Sequence, residues 1–232
     1  MSIQILPITG IGAVRPGDEI TEILATALEP LSPATGDMMV VTHKIVSKAE
    51  GRVVTVVGDE EEFKRMLVES ESASIVRIRG SLIIAETKHG FICANAGVDR
   101  SNAEPGTMIL LPEDPDRSAH CIRSRLERRF GIDLPVIISD TFGRPWRRGL
   151  TDIAIGVSGL DAVVDLRGTH DWVGRELEVT EIAVADELAS AADLVMGKAD
   201  GIPAALIRGY NGPRGEGRGQ DLIRPAEEDL FR

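Results

Sequence analysis

The chain has few cysteines and no long apolar segment, and these shortages exclude several classes of protein. Its 232 residues include two cysteines, Cys93 and Cys121, without CxxC or metal-ligand spacing. A disulfide framework is therefore not supported, and we interpret both as small core residues. The longest apolar runs, such as residues 38–41, fall far short of the roughly 20 residues that a membrane helix needs. Because the N-terminus shows no secretory signal pattern, we expect a cytoplasmic protein.

Positive charge is also scarce. The chain carries 26 Lys and Arg residues against 37 Asp and Glu residues, which gives a formal net charge of −11. A nucleic-acid-binding protein needs an excess of cations, so the balance argues against that class. Any anionic ligand must be met by a local basic patch. The 43% of apolar residues is ample for a folded core.

Two common kinds of catalytic motif are missing. No GxxxxGK[ST] occurs, and Gly10 and Gly12 lack a third glycine at the dinucleotide spacing, so glycines alone do not establish a nucleotide site. The four histidines form no recognisable triad. The glycine-rich residues 7–17 could still let backbone N–H groups approach a ligand, although a plain loop explains them equally well.

Interleaved strand and helix patterns predict a mixed fold. Apolar segments predict strands at residues 2–6, 37–42, 82–87, 90–95, 135–138, 151–156 and 202–207. Helical periodicity predicts a helix capped by Asp18, a surface helix at 60–67, a helix opened by Asp114 or Asp116, and a helix at 182–195 ended by Gly197. Residues 209–219 contain too many glycines to hold a fixed structure alone. The irregular spacing favours α+β or mixed α/β over a standard doubly wound sheet.

Oxygen side chains follow two apolar segments. The strand predicted at 135–138 ends in Ser139, Asp140 and Thr141, and a second apolar segment ends at Asp99. Two such aspartates are plausible ligands for Mg²⁺ or Mn²⁺, which favour carboxylates, hydroxyls, water and substrate phosphates. The alternative is a strand followed by an Asp-capped turn.

Basic side chains lie close to these oxygens in sequence. Lys44 and Lys48 are four residues apart after the strand at 37–42, so on a helix both could meet one phosphate. Arg144, Arg147 and Arg148 could hold an anion by forked hydrogen bonds. Each group could equally be a solvated surface.

Five segments, taken in chain order, resemble the coenzyme F-420-0:γ-glutamyl ligases. They are residues 5–7 with 15–18 (ILP and RPGD), 41–48 (VTHKIVSK), 97–102 (GVDRSN), 139–148 (SDTFGRPWRR) and 184–188 (VADEL). The resemblance implies one ligase domain over residues 1–232. It also implies an unusual α+β fold with mixed sheets and an intertwined homodimer.

The resemblance implies roles for individual residues. Asp99, Asp140 and Thr141 match divalent-metal ligands; two Mg²⁺ or Mn²⁺ ions are implied, with K⁺ as a further candidate ion. Some relatives carry a small hydroxyl residue where His43 stands, and a protonated Lys198 cannot be a metal ligand. The implied nucleotide contacts are Ile11, Gly12, Ala13, Val14, His43, Lys48, Asn102, Gly197 and Lys198.

The implied reaction consumes GTP and forms GDP. It adds L-glutamate, once or repeatedly in γ-linkage, to the lactyl carboxylate of coenzyme F-420-0 through an acyl phosphate. Asp99, Asp140, Thr141 and Lys48 would form the catalytic set, and the Arg144, Arg147 and Arg148 cluster would bind glutamate or the phosphodiester of F-420-0.

Two other functions remain open at this stage. The first is a metal-dependent phosphatase or phosphotransferase with Asp140 as nucleophile, although Phe142 stands where such enzymes need a second Asp. The second is a nucleotide-binding protein without catalytic activity.

Overall fold

A computed structural model describes residues 2–229 of the chain. Its elements follow one another in this order: β1 (Gln4–Pro7), α1 (Ile20–Leu28), β2 (Met38–Thr42), α2 (His43–Ala49), β3 (Val53–Thr55), α3 (Glu60–Glu71), β4 (Ser72–Arg79), β5 (Leu82–Thr87), β6 (Ile92–Ala94), β7 (Thr107–Ile109), α4 (Pro115–Phe130), β8 (Val136–Gly143), β9 (Leu150–Ser158), β10 (Val164–Asp165), β11 (Glu181–Ile182), α5 (Val184–Met196) and β12 (Ala204–Arg208). The fold is a mixed α+β architecture, as predicted.

A five-stranded sheet forms the centre, in the order β1-β12-β2-β8-β9. The β2 and β8 strands are parallel, with Thr42 opposite Ser139, and the other neighbours are antiparallel. Strands β2 and β8 are nearly continuous apolar runs because both faces of the sheet are covered. Helices α1, α2 and α4 contribute to the core on one face, and α5 covers the other.

Smaller sheets fill the long connection between β2 and β8. Strands β4, β5 and β6 form an antiparallel sheet, and β3 pairs with β7. Helix α3 packs its Leu67 and Val68 into a third apolar cluster with this region. The hairpin predicted around residues 88–90 is confirmed by the pairing of β5 with β6, whereas β3, β4, β7, β10 and β11 were not predicted.

Four sequence expectations need correction. Asp18 does not cap α1; its Oδ2 accepts a hydrogen bond from the backbone N of Arg15, and Glu19 stands at the cap. Strand β8 does not end before Asp140 but continues to Gly143, because residues 139–143 pair with the first half of β9. Cys93 is buried as predicted, but Cys121 is exposed.

The fourth correction concerns residues 209–219. This segment is held by the rest of the fold: the backbone N of Gly217 donates to Leu160 O, and that of Gly219 donates to Asp116 Oδ1. A side chain at Gly219 would meet the Ile155 carbonyl oxygen at 2.4 Å. Glycine is therefore required here for close packing on β9, and these contacts offset its ordering entropy.

Among the helices described over residues 2–229, none combines the length and the apolar character needed to cross a membrane.

Candidate functional site

A cleft of about 360 Å³ opens where the carboxyl end of β2 lies beside Ser139 and Asp140 of β8. The parallel pairing of these strands brings together segments that are about 100 residues apart in the chain. The loop before α1 and the segment after α5 close its sides. The cleft gathers these predicted residues: Ile11, Gly12, Ala13, Val14, His43, Lys48, Asn102, Asp140, Thr141, Gly197 and Lys198.

His43 is the first residue of α2 and is almost fully buried. Its Nδ1 shares a hydrogen bond of 3.3 Å with Ser47 Oγ, one turn later. Its Nε2 lies 3.2 Å from Asp140 Oδ1, a close contact without hydrogen-bond geometry. Both ring nitrogens therefore face protein groups, while the hydrogen bond that Asp140 Oδ1 accepts comes from the backbone N of Thr141 at 2.7 Å.

Lys44 and Lys48 both lie on α2, so the condition for their projecting from one helix is met, but they have different partners. The Lys48 ammonium donates to the backbone O of Asn102 at 2.6 Å. Burial lowers the pKa of Lys48, and the neighbouring Lys44 charge adds to this effect against the opposing charge of Glu104. Asn102 has a positive φ of 58°, which turns its carbonyl towards the lysine. Lys48 is thus held in the cleft as a phosphate-binding candidate.

Asp99 lies beside the cleft and does not line it. Its Oδ2 accepts from Lys44 Nζ at 2.7 Å and from Ser101 Oγ at 2.6 Å. Partial burial alone would raise the pKa of Asp99, but the hydrogen bonds from Lys44 and Ser101 lower it to about 2. Asp99 is therefore an ionised carboxylate at the rim whose charge is already balanced by Lys44.

Asp152 is a cleft residue that sequence reasoning missed. It lies on β9 directly opposite Thr141 and is 1% exposed. Its carboxylate accepts from Thr141 Oγ1 at 2.6 Å and from Ser139 Oγ at 2.9 Å. The available signal was an Asp inside an apolar strand, where that residue type is depleted. The register of β8 against β9 places Asp152 opposite Thr141, so that its buried carboxylate lies close to Asp140.

Lys198 completes this group from the end of α5. Its Nζ lies 2.8 Å from Asp152 Oδ1 and 3.0 Å from Asp193 Oδ1, and it donates to Thr141 Oγ1. Partial burial alone would lower the pKa of Lys198, but the hydrogen bonds and charges of Asp152 and Asp193 raise it. Lys198 is therefore a firmly protonated ammonium ion inside the cleft.

The arginine cluster lies elsewhere. Arg144, Arg147 and Arg148 are exposed in the turn between β8 and β9 and do not line the cleft. Arg144 donates to the backbone O of Arg148 at 2.7 Å. Within residues 2–229 none of the three forms an ion pair, so no carboxylate of the described chain neutralises their guanidinium groups.

The donor set fits a weakly caged divalent ion. Among the described residues, no three His, Cys, Asp or Glu side chains form a ready-made metal cage. Mg²⁺ typically uses one or two carboxylates and completes its shell with water and substrate phosphates. Asp140, which faces the cleft with 14% of its side chain exposed, supplies such a hard oxygen donor, whereas the oxygens of the nearby Thr141 and Asp152 already contact Lys198.

A second cavity of about 510 Å³ lies against the outer half of β9 and the start of α4. It contains none of the predicted site residues. Its carboxylates already serve the fold, since Asp114 caps α4 and Asp116 accepts from the backbone N atoms of Val157 and Gly219. The chemistry is therefore assigned to the smaller cleft.

Comparison with known proteins gives a consistent family assignment. The family model described as F420-0:Gamma-glutamyl ligase matches residues 10–209. A protein of Methanopyrus kandleri named Coenzyme F420:L-glutamate ligase is 44% identical, with 100% of this chain and 98% of that protein covered. Proteins of the same name from Methanothermobacter thermautotrophicus and Methanocaldococcus jannaschii are 43% and 48% identical, covering 100% and 85% of each chain, respectively.

The buried position of Asp152 predicts an asymmetric effect of mutation. Replacing Asp152 with Ala leaves two hydroxyl groups and one ammonium without their shared acceptor, and we expect a loss of about 3 kcal/mol in the free energy of unfolding. Asp193→Ala removes one contact to the same half-exposed ammonium and should cost less than about 1 kcal/mol. Guanidinium denaturation of both variants measures the difference, and equal losses would contradict the central role of Asp152.

Proposed function

This chain belongs to the F420-0:γ-glutamyl ligase family, and from that premise we propose that it uses GTP to join L-glutamate to the lactyl carboxylate of coenzyme F420-0. The observation that carries the nucleotide part is the convergence of the loop at residues 11–14, Lys48, Asn102 and the Gly197–Lys198 segment on one cleft. A cleft lined by three lysine ammonium groups, those of Lys44, Lys48 and Lys198, suits a triphosphate. It offers no activated protein nucleophile.

Amide formation from a carboxylate in water requires an activated carboxyl group. In the proposed first step a carboxylate oxygen of F420-0 attacks the γ-phosphorus of GTP, the bond to the β–γ bridging oxygen breaks, and GDP leaves. In the second step the neutral amine of glutamate attacks the acyl carbon, the bond to phosphate breaks, and the amine loses its proton. The products are the amide, GDP and phosphate.

The residues of the cleft would position and neutralise these groups. Lys48, fixed by Asn102, would donate hydrogen bonds to phosphate oxygens, and Asp140 would hold a divalent ion, Mg²⁺ or Mn²⁺. Such an ion, when bound, supplies Lewis-acid stabilisation of the charge on the transferring phosphoryl group. The backbone N of Thr141 holds the Asp140 carboxylate by a hydrogen bond to Oδ1, with the His43 ring packed behind it. No residue of the chain needs to form a covalent intermediate.

Cys93 is not a competing nucleophile. Burial and the neighbouring Asp140 charge raise the pKa of its thiol to about 12, so it stays protonated. The exposed guanidinium groups of Arg144, Arg147 and Arg148 are the proposed anchor for the anionic groups of F420-0 or of incoming glutamate, because arginine binds carboxylate and phosphate through two parallel hydrogen bonds.

The test is mass spectrometry of coenzyme F420-0 after incubation with the protein, L-glutamate, GTP and Mg²⁺ or Mn²⁺. We expect a product heavier by one or more glutamyl residues, formed with GTP and metal and absent without glutamate. Phosphate release from small phosphoesters without glutamate would instead indicate a phosphotransferase. GTP binding without turnover would indicate a binding protein.

In the same assay Asp140→Asn should lower the yield of glutamyl product by at least about 100-fold. The amide keeps the shape of the side chain but removes the negative charge that would bind the metal ion. Asp165→Asn is the matched control, since Asp165 lies in an exposed ion pair with Arg167 away from the cleft. Full activity of Asp140→Asn would refute the metal assignment.

We also propose that two copies of the chain associate through the β4–β5 hairpin. Strand β4 is an edge strand, and Ile75, Val76 and Ile78 on it are 42–53% exposed. Leu82 at the start of β5 extends the same apolar surface with 42% exposure. An exposed edge with apolar side chains on both faces is unfavourable in water and is typical of a strand that pairs with another chain.

Light scattering coupled to size-exclusion chromatography tests this association. The unmodified chain should elute with the mass of a dimer, and Ile75→Glu combined with Ile78→Glu should shift it to the monomer. Leu194→Glu changes an apolar residue that is 83% exposed on α5 and should leave the mass unchanged. A monomeric unmodified chain would refute the proposal.

A further inference from the structure

Three oxygen atoms converge on the ammonium group of Lys198: Thr141 Oγ1, Asp152 Oδ1 and Asp193 Oδ1. We propose that Lys198 is a resident cation of the cleft that takes the place of one divalent ion, so that the chain binds its nucleotide with a single Mg²⁺ or Mn²⁺. The inference rests on the proposed use of a nucleotide triphosphate. It goes further because it states which positive charge in the cleft comes from a protein side chain and how many metal ions supply the rest.

The local backbone is built to place this ammonium. Helix α5 ends at Met196, and Gly197 follows with φ 60° and ψ 174°. The positive φ of Gly197 is a conformation that favours glycine, whereas the nearest side-chain atom, Asp200 Oδ2, belongs to an exposed side chain that can move. The sharp turn directs Lys198 back towards Asp193, which is on the last turn of the same helix.

The hydrogen bonds of Thr141 leave little room for a metal ion in the same place. Its single hydroxyl proton goes to Asp152 Oδ1 at 2.6 Å, and one lone pair accepts from Lys198. Asp152 Oδ1 thus accepts hydrogen bonds from the Thr141 hydroxyl and from the Lys198 ammonium, and Asp152 Oδ2 accepts one from Ser139 Oγ. A divalent ion bound between Thr141 and Asp152 would have to displace the Lys198 ammonium, because the ammonium already lies there and would repel a second cation at such short range.

Asp140 is the remaining carboxylate of the cleft and has a different environment. Among the described residues, the buried His43 ring lies closest behind its carboxylate, with Nε2 3.2 Å from Oδ1, and no ammonium or guanidinium group pairs with it. The structure thus separates two cation positions: one at Thr141, Asp152 and Asp193, already filled by Lys198, and one at Asp140, open to an ion carried by the nucleotide. A purely structural role would have Lys198 neutralise Asp152 with no effect on metal binding.

Counting bound Mn²⁺ by electron paramagnetic resonance separates these roles without relying on activity. The protein is titrated with Mn²⁺ at saturating GMPPNP, a GTP analogue with a non-hydrolysable β–γ bond. We expect one tightly bound Mn²⁺ per chain in the unmodified protein and in Lys198→Arg, which keeps the charge. Lys198→Gln should bind two, because its neutral amide frees the oxygens of Thr141, Asp152 and Asp193 for a second ion.

Lys88→Gln is the matched control, since Lys88 is exposed, pairs with Glu71 at 3.7 Å and lies outside the cleft. It should bind one Mn²⁺. Two Mn²⁺ in the unmodified chain would overturn the inference even if Lys198→Gln failed to fold. A Lys198→Gln variant that folds and does not bind two would overturn it as well. Failure of the unmodified chain to bind GMPPNP, measured by calorimetry, would instead contradict the proposed GTP-dependent function on which the inference rests.

Discussion

The pairing of the Asp152 carboxylate with Lys198 decides what the cleft can bind. Asp152 is buried on β9, and a buried carboxylate is stable only when its charge is compensated and its oxygens are hydrogen-bonded. Ser139 and Thr141 supply the hydroxyl groups from β8, and Lys198 supplies the charge from the end of α5. One contact therefore joins three elements and fixes the side chains that surround the neighbouring Asp140.

The charge of the cleft differs from that of the whole chain. The net charge of −11 would repel a triphosphate, but Lys44, Lys48 and Lys198 are three of only five lysines and all line this one cleft. Lys44 pairs with Asp99, and Lys198 pairs with both Asp152 and Asp193. Lys48 instead donates to the neutral backbone carbonyl of Asn102. Lys48 is consequently the ammonium with the most charge available for a phosphate.

Local sequence patterns predicted much of the central sheet and its helices, and the segments that resemble the ligase family predicted most of the cleft. Apolar periodicity and capping predicted strand β2, the α4 cap at Asp114 and the end of α5 at Gly197, whereas α2 was considered only as a possibility. Asp152 was missed because its role depends on the register of β8 against β9, a non-local property. The length of β8 was underestimated for the same reason: polar residues 139–141 read as a strand end until a partner strand accounts for their hydrogen bonds.

Isotope transfer tests the central claim, that this cleft activates a carboxylate with the γ-phosphate of GTP before the amide forms. Coenzyme F420-0 carrying ¹⁸O in both lactyl carboxylate oxygens is incubated with the protein, GTP, L-glutamate and Mg²⁺, and the released phosphate is analysed by mass spectrometry. Because one carboxylate oxygen stays with the phosphoryl group when the acyl phosphate is cleaved, we expect one ¹⁸O atom in the phosphate for each first amide bond formed. Amide formation with unlabelled phosphate would contradict it.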